Sequence, residues 1–126
     1  MKIALAGITL SFGLTLAAYA GDVKTVAMNA TSSPVVVTIA AGQMMKISSC
    51  VYEGIDSING VPTSPSLTYM PGTQTQGADL HGQALRQILQ QDQAFYLAGP
   101  GKVTFNGSRS LTGGFFVDYE MVPSLR

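Results

Sequence analysis

The feature that most constrains the fold is a period-two alternation of residues in short segments separated by turn formers. In the last segment, 115–122, one side is entirely apolar and consists of Phe115, Val117, Tyr119 and Met121. Successive side chains of a β-strand point to opposite faces of a sheet, so this pattern is typical of a strand with one buried face. The C-terminal part of the chain is therefore predicted to be a half-buried strand.

Other segments have the same strand character. They are rich in β-branched residues or alternate in polarity, and they comprise 23–28, 34–40, 43–52, 94–98 and 102–106. Short strands at such spacing are typical of two packed antiparallel sheets. The fold prediction for residues 21–126 is one mainly β domain, an antiparallel β-sandwich or a jelly-roll-like domain.

Two connections have recognisable signals. The turn sequence Gly99-Pro100-Gly101 predicts that 94–98 and 102–106 are the two strands of one hairpin. Between residues 53 and 77, Asn-Gly, Pro-Gly and further prolines mark successive turns, which predicts a long irregular segment available for binding.

One short helix is predicted over about residues 78–91. Its apolar residues recur on one helical face, and Asp79 is placed to cap its N-terminus. Gly82 weakens the first turn, so a strand over 84–90 is the alternative.

The first twenty residues have the three parts of a secretory signal peptide. Met1-Lys2 supplies the positive start, residues 3–17 form the apolar run, and Ala18-Tyr19-Ala20 supplies the small-x-small cleavage site. The apolar run is shorter than the ~20 residues that a membrane-spanning helix needs. The sequence thus predicts cleavage after residue 20, a secreted or periplasmic mature protein, and no integral membrane span.

Charged residues make up 11% of the chain, against ~25% in an ordinary globular protein. Once Lys2 is removed, six basic residues remain against seven acidic ones. This balance provides no electrostatic surface for nucleic acid, which is excluded as a partner class. A lightly charged surface also repels copies of itself weakly, which favours self-association.

Chemistry-bearing residues are sparse. His81 is the only histidine, and on a helix it would point away from Asp79. Asp118 and Glu120 share one face of the last strand, an arrangement that fits a calcium site but is more typical of solvated surface. We therefore predict no catalytic residue, no cofactor, no metal site and no enzyme activity.

Cys50 is the only cysteine, so no internal disulfide can form. Strict alternation over 43–52 places Met45, Ile47 and Val51 on one face and Cys50 with Tyr52 on the other. An exposed Cys50 invites an intermolecular disulfide. A bulge at Ser48-Ser49 would instead turn its thiol into the core, where unpaired cysteines are most often found.

The favoured function is an exported structural or protein-interaction module that contacts another protein or a copy of itself. Its predicted contact surfaces are the 53–77 segment and the C-terminal sheet face, and the candidate residues are Cys50, Tyr52, Tyr69 and Phe116. Phe116 is the proposed aromatic anchor, unless the helix covers it. The alternative is a small-ligand or carbohydrate-binding module in which Tyr52 and Tyr69 form a stacking platform.

Overall fold

The computed structural model describes residues 22–124. Ten strands and one helix follow in the order β1 (Lys24–Met28), β2 (Val35–Ile39), β3 (Gln43–Gly54), β4 (Ser57–Ile58), β5 (Val61–Pro62), β6 (Ser66–Pro71), β7 (Ala78–His81), α1 (Gly82–Leu89), β8 (Phe95–Ala98), β9 (Gly101–Asn106) and β10 (Leu111–Pro123). The first sheet has the order β1-β10-β3-β8, the second sheet has the order β2-β9-β6-β7, and β4 and β5 form a small hairpin. All pairings are antiparallel.

Both sheets contribute to a single hydrophobic core. Phe105 of the second sheet stacks on Tyr119 of the first, with ring centroids 6.4 Å apart. Along β10 the apolar side chains predicted to face inward do so: Phe115 and Val117 are buried completely or nearly so. The prediction of a mainly β chain with antiparallel sheets and one short helix is confirmed.

The predicted hairpin across residues 99–101 is wrong. β8 pairs with β3 in the first sheet, whereas β9 pairs with β2 and β6 in the second. The turn therefore carries the chain from one sheet to the other. Gly99 donates its backbone N–H to Gln43 O at 2.8 Å, and a Cβ at this position would overlap the carbonyl of Ala40. The turn therefore packs closely against residues 40 and 43 and does not join two strands of one hairpin, because β8 and β9 pair with strands of different sheets.

The helix is shorter than predicted. Residues 78–81 form β7, and the helix begins only at Gly82. Asp79 does not cap it; instead, Thr68 of β6 donates a hydrogen bond to the Asp79 carboxylate at 2.7 Å. Residues 78–81 form backbone hydrogen bonds with β6, and these hydrogen bonds would be lost if the segment were helical. The alternative strand over 84–90 is also wrong, since residues 84–89 are helical and Gln90 is the C-cap of α1.

A bulge in β3 decides which of its side chains reach the core. Asp118 of β10 is opposite Ser49, but the next residue, Tyr119, is opposite Ile47, so Ser48 has no opposing residue. The alternation shifts by one position beyond it, which buries Cys50. Strict alternation predicted that Val51 faces the core with Met45 and Ile47. That prediction is wrong, because Val51 is 55% exposed.

The predicted signal peptide, residues 1–20, lies outside the described residues. Within residues 22–124, no helix has the length and apolar character needed to cross a membrane.

Replacing Val117 tests the assignment of the inner face of β10. Val117 is fully buried and lies between Val26 of β1 and Cys50 of β3. Val117→Asp should prevent folding, because an unpaired buried carboxylate costs at least about 4 kcal/mol, a large share of the stability of a small domain. Circular dichroism should show no cooperative melt. Phe116→Ser, one residue earlier on the outer face, is the control and should still give a cooperative melt.

Candidate functional site

The outer face of the first sheet carries an exposed apolar row across three strands. Ala27 of β1 is opposite Phe116 of β10, and Phe116 is opposite Val51 of β3. Phe116 is 45% exposed and Val51 is 55% exposed, and Ala27 is exposed as well. We call these three residues the sheet patch. Since α1 packs on β3, β7 and β8, it leaves Phe116 exposed.

The ring of Phe116 lies over Gly114. A Cβ at position 114 would overlap this ring, so glycine is required for the ring to lie against the backbone of its own strand. A cavity of about 280 Å³ opens beside it, lined by Phe116 together with Ala27, Asn29 and Ser32. The sheet patch is therefore a shallow, shaped surface around one anchored aromatic ring.

Polar pairs lie next to the sheet patch on the same face. Thr25 donates a hydrogen bond to the Asp118 carboxylate at 2.6 Å, and Lys46 forms an ion pair with Glu120 at 3.8 Å. The two acids that the sequence placed on one face are thus each held by a neighbouring strand. The apolar row ends at this polar band, as the rim of an interaction surface does.

A second apolar surface lies at the tip of the β4–β5 hairpin, within the turn-rich segment. Ile58 and Val61 are directly opposite each other and are 50% and 62% exposed. The turn between them, Asn59-Gly60, has positive φ at both residues, 52° and 79°, as a type I′ hairpin requires. We call Ile58 and Val61 the hairpin tip.

Hydrogen bonds at its base fix the hairpin to the rest of the domain. The Thr63 hydroxyl donates to Ile55 O, and Ser110 donates to the same carbonyl at 3.2 Å and to Thr63 O at 2.7 Å. Ser108 also donates to Thr63 O. The loop before β10 therefore holds the hairpin, and the exposed pair projects from an anchored base.

A cluster around Tyr52 connects β3, the hairpin and the helix. The Tyr52 hydroxyl donates to the Asp56 carboxylate at 2.5 Å, and Arg86 of α1 forms an ion pair with Asp56 at 3.6 Å. The Arg86 guanidinium also lies 4.4 Å from the centroid of the Tyr52 ring. Burial, followed by the hydrogen bond to Asp56, raises the pKa of Tyr52 to about 12. This hydroxyl stays protonated and acts as a structural donor.

Cys50 lies in the core rather than on the surface. Its side chain is 5% exposed, and its thiol lies 4.0 Å from the carbonyl oxygen of Gly82. Burial raises the pKa of the Cys50 thiol to about 11, although the Arg86 charge opposes this shift. Of the two alternatives left open by the sequence, the structure has the buried one, in which the thiol is poorly placed for an intermolecular disulfide.

The two candidate tyrosines do not form a common platform. Tyr52 belongs to the first sheet and its ring is buried against Phe115, whereas Tyr69 belongs to the second sheet and donates its hydroxyl to Ala98 O. Sugar stacking needs an open ring face. Of the four candidate residues, only Phe116 presents a large exposed apolar side chain.

His81 lies where β7 ends and α1 begins, opposite Ser66 of β6. The Asp79 carboxylate already accepts a hydrogen bond from Thr68. Across residues 22–124, no three His, Cys, Asp or Glu side chains gather as a metal site would require.

Sequence reasoning selected Phe116 but missed the residues that accompany it. Val51 was assigned to the core by strict alternation; the bulge at Ser48-Ser49, which the sequence left open as an alternative, turns it outward instead. Ile58 and Val61 had a signal, since apolar residues on both sides of Asn-Gly are typical of a hairpin.

Comparison of the chain with protein-family models, with curated proteins and with solved structures finds no significant match to any of them.

The Cys50 thiol should react slowly in the folded protein. With a pKa of about 11, only about 0.1% of the thiol is ionised at about pH 8, and the thiolate is the nucleophile. We expect maleimide labelling, followed by mass spectrometry, to be at least about 100-fold slower in the native protein than in guanidinium chloride. Equal labelling rates in the two conditions would contradict the buried position.

Alkaline pH should weaken the fold through the same group. Below pH 9.0, the ordinary pKa of a cysteine thiol, Cys50 is protonated in both the folded and the unfolded chain, so its contribution to the free energy of unfolding is fully present. Between pH 9.0 and about 11 the unfolded chain loses this proton while the folded chain keeps it, so the free energy of unfolding falls. Urea titrations should show this fall in the wild type and a shallower one in Cys50→Ala. Parallel pH profiles for the two proteins would refute the assignment.

Proposed function

We propose that this chain is an exported, non-enzymatic protein-interaction module, a β-sandwich that binds a protein partner through the sheet patch and the hairpin tip. In this proposal the leader is removed after residue 20, and the domain acts in the periplasm or outside the cell. The partner is another protein or a copy of this chain.

We further propose that the sandwich is a jelly roll. Apart from the small β4–β5 hairpin, eight strands remain, and the first and last of them, β1 and β10, are neighbours. The second strand along the chain, β2, is a neighbour of the second-last, β9. The next two pairs, β3 with β8 and β6 with β7, are neighbours in the same way. Nested pairs of this kind, alternating between two sheets, are what a rolled-up long hairpin produces, and that is the jelly-roll arrangement.

The observation that carries the interaction proposal is that exposed large apolar side chains are held on paired strands. Phe116 and Val51 are in register on the first sheet, and Ile58 and Val61 are in register on the hairpin. A backbone that is already fixed by a strand ladder loses little conformational entropy on binding, which favours association. Exposed apolar clusters with polar borders are typical of protein-binding surfaces.

The small number of side chains involved indicates a modest interface. Two patches of two or three residues supply a central aromatic anchor, not the extended apolar surface of an obligate dimer. We therefore propose a reversible association. Only 11% of the residues are charged, so the rate of association should depend little on salt concentration.

Photo-crosslinking in the native host tests the interaction. With p-benzoylphenylalanine at position 116, ultraviolet light should produce one discrete protein adduct of higher mass. The analogue keeps the aromatic ring of Phe116 and extends it by a benzoyl group toward the bound partner. The matched control carries the same analogue at position 73, in the exposed loop between β6 and β7, and should give no adduct.

A second variant separates binding from folding. Adding Val51→Ser to the chain that carries the analogue should reduce the adduct about tenfold, because the apolar contact next to position 116 is lost, without changing the melting temperature by more than a few degrees. A chain that gives no adduct at position 116 in its host would refute the proposal.

A further inference from the structure

As described over residues 22–124, the two sheets have four edge strands, and three of them carry features that discourage further pairing. β1 contains Lys24, β7 is four residues long and contains the exposed Asp79, and β8 is four residues long and packs beside α1. Charges, short length and coverage by a helix are the usual ways in which proteins protect an edge.

β2 has none of these protections. It consists of Val35-Val36-Val37-Thr38-Ile39 and contains no charged residue, and within residues 22–124 it pairs only with β9. Pro34 lies just outside the strand and leaves its five residues unobstructed. About half of the backbone N–H and C=O groups of an edge strand point away from its sheet and can receive another strand.

The inward-facing side chains of β2 are also incompletely covered. Val35 and Val37 pack against the core but remain partly exposed, whereas the residues opposite them, Phe105 and Val103, are fully buried. The other N-terminal edge strand differs, since Val26 and Met28 of β1 are already buried. The apolar surface left open at β2 is of the kind that one more strand would cover.

We propose that the free edge of β2 is a self-association site, at which the β2 strands of two copies pair antiparallel about a two-fold axis at Val37. In this register Val35 is opposite Ile39 of the second copy, Val36 is opposite Thr38, and Val37 is opposite itself. Every opposed pair consists of β-branched residues, which are favourable cross-strand neighbours. The second sheets of the two copies then form one continuous eight-stranded sheet.

Self-complementarity is the reason for assigning a second copy as the occupant. In a two-fold antiparallel pairing the same segment runs in opposite directions in the two copies. The segment must therefore not place like charges opposite each other, and β2 meets this requirement because it contains no charged residue. The pairing is also closed, because each copy uses the one unprotected sheet edge in the described part of the chain. The product is a dimer and not a fibre.

A charge-exchange experiment tests this register. In Val36→Lys/Thr38→Lys, each new lysine is opposite a lysine of the second copy, and the dissociation constant measured by sedimentation equilibrium should rise about 100-fold. Val36→Glu/Thr38→Glu should behave in the same way. An equimolar mixture of the two variants places lysine opposite glutamate at every such position and should restore the dimer. Both altered side chains are exposed in the monomer, so folding should persist.

Val37→Cys provides a test of the axis. Its two copies are directly opposite each other in the proposed pairing, so mild oxidation should give a covalent dimer, whereas Val36→Cys should give none. A wild-type protein that stays monomeric at its highest soluble concentration, or a dimer unaffected by the lysine variant, would overturn the proposal.

Failure of this proposal is distinguishable from failure of the proposed function. Val51→Lys on the sheet patch should leave the β2 dimer intact while it removes the adduct formed at position 116. The β2 lysine variant should have the reverse effects, provided that the adduct is formed with a different protein. An adduct that consists of two copies of this chain and persists in the β2 lysine variant would overturn the assignment of self-association to β2.

Discussion

The pairing of β10 with β3 is the constraint on which the rest of the structure depends, because these long strands form the centre of the first sheet. β1 is attached to the outer side of β10, and β8 to the outer side of β3. The bulge at Ser48 lies within this pairing and shifts the register between Ile47 and Ser49. Since a shift of one residue moves every following side chain to the opposite face, this one unpaired residue determines both the core and the exposed surface of β3.

The bulge also explains how the core and the candidate site are related. It turns Tyr52 inward, where the Tyr52 hydroxyl meets Asp56 and its ring lies below Arg86 of the helix. The same shift turns Val51 outward beside Phe116. One backbone irregularity therefore supplies both the contact that joins the helix and hairpin to the sheet and the apolar partner that extends the exposed aromatic ring into a patch.

The exposed surfaces divide between the two sheets according to their chemistry. The first sheet presents an aromatic anchor next to polar pairs, a surface suited to recognition of side chains. The second sheet ends in an uncharged edge, β2, where backbone groups would provide the pairing and β-branched side chains the packing. Because side-chain recognition and strand addition would use different parts of the molecule, the two proposed contacts do not compete with each other.

The sequence by itself determined the mainly β character and the inner face of β10, because both follow from local alternation and composition. It also marked the Asn59-Gly60 turn. It left open whether the helix covers Phe116. Only the tertiary structure decided that β8 and β9 lie in different sheets, that residues 78–81 pair with β6 instead of starting the helix, and that Cys50 is buried. These features depend on which strands lie side by side. The free energy of pairing and burial between segments distant in sequence outweighs local turn and helix preferences, and no window of neighbouring residues contains that information.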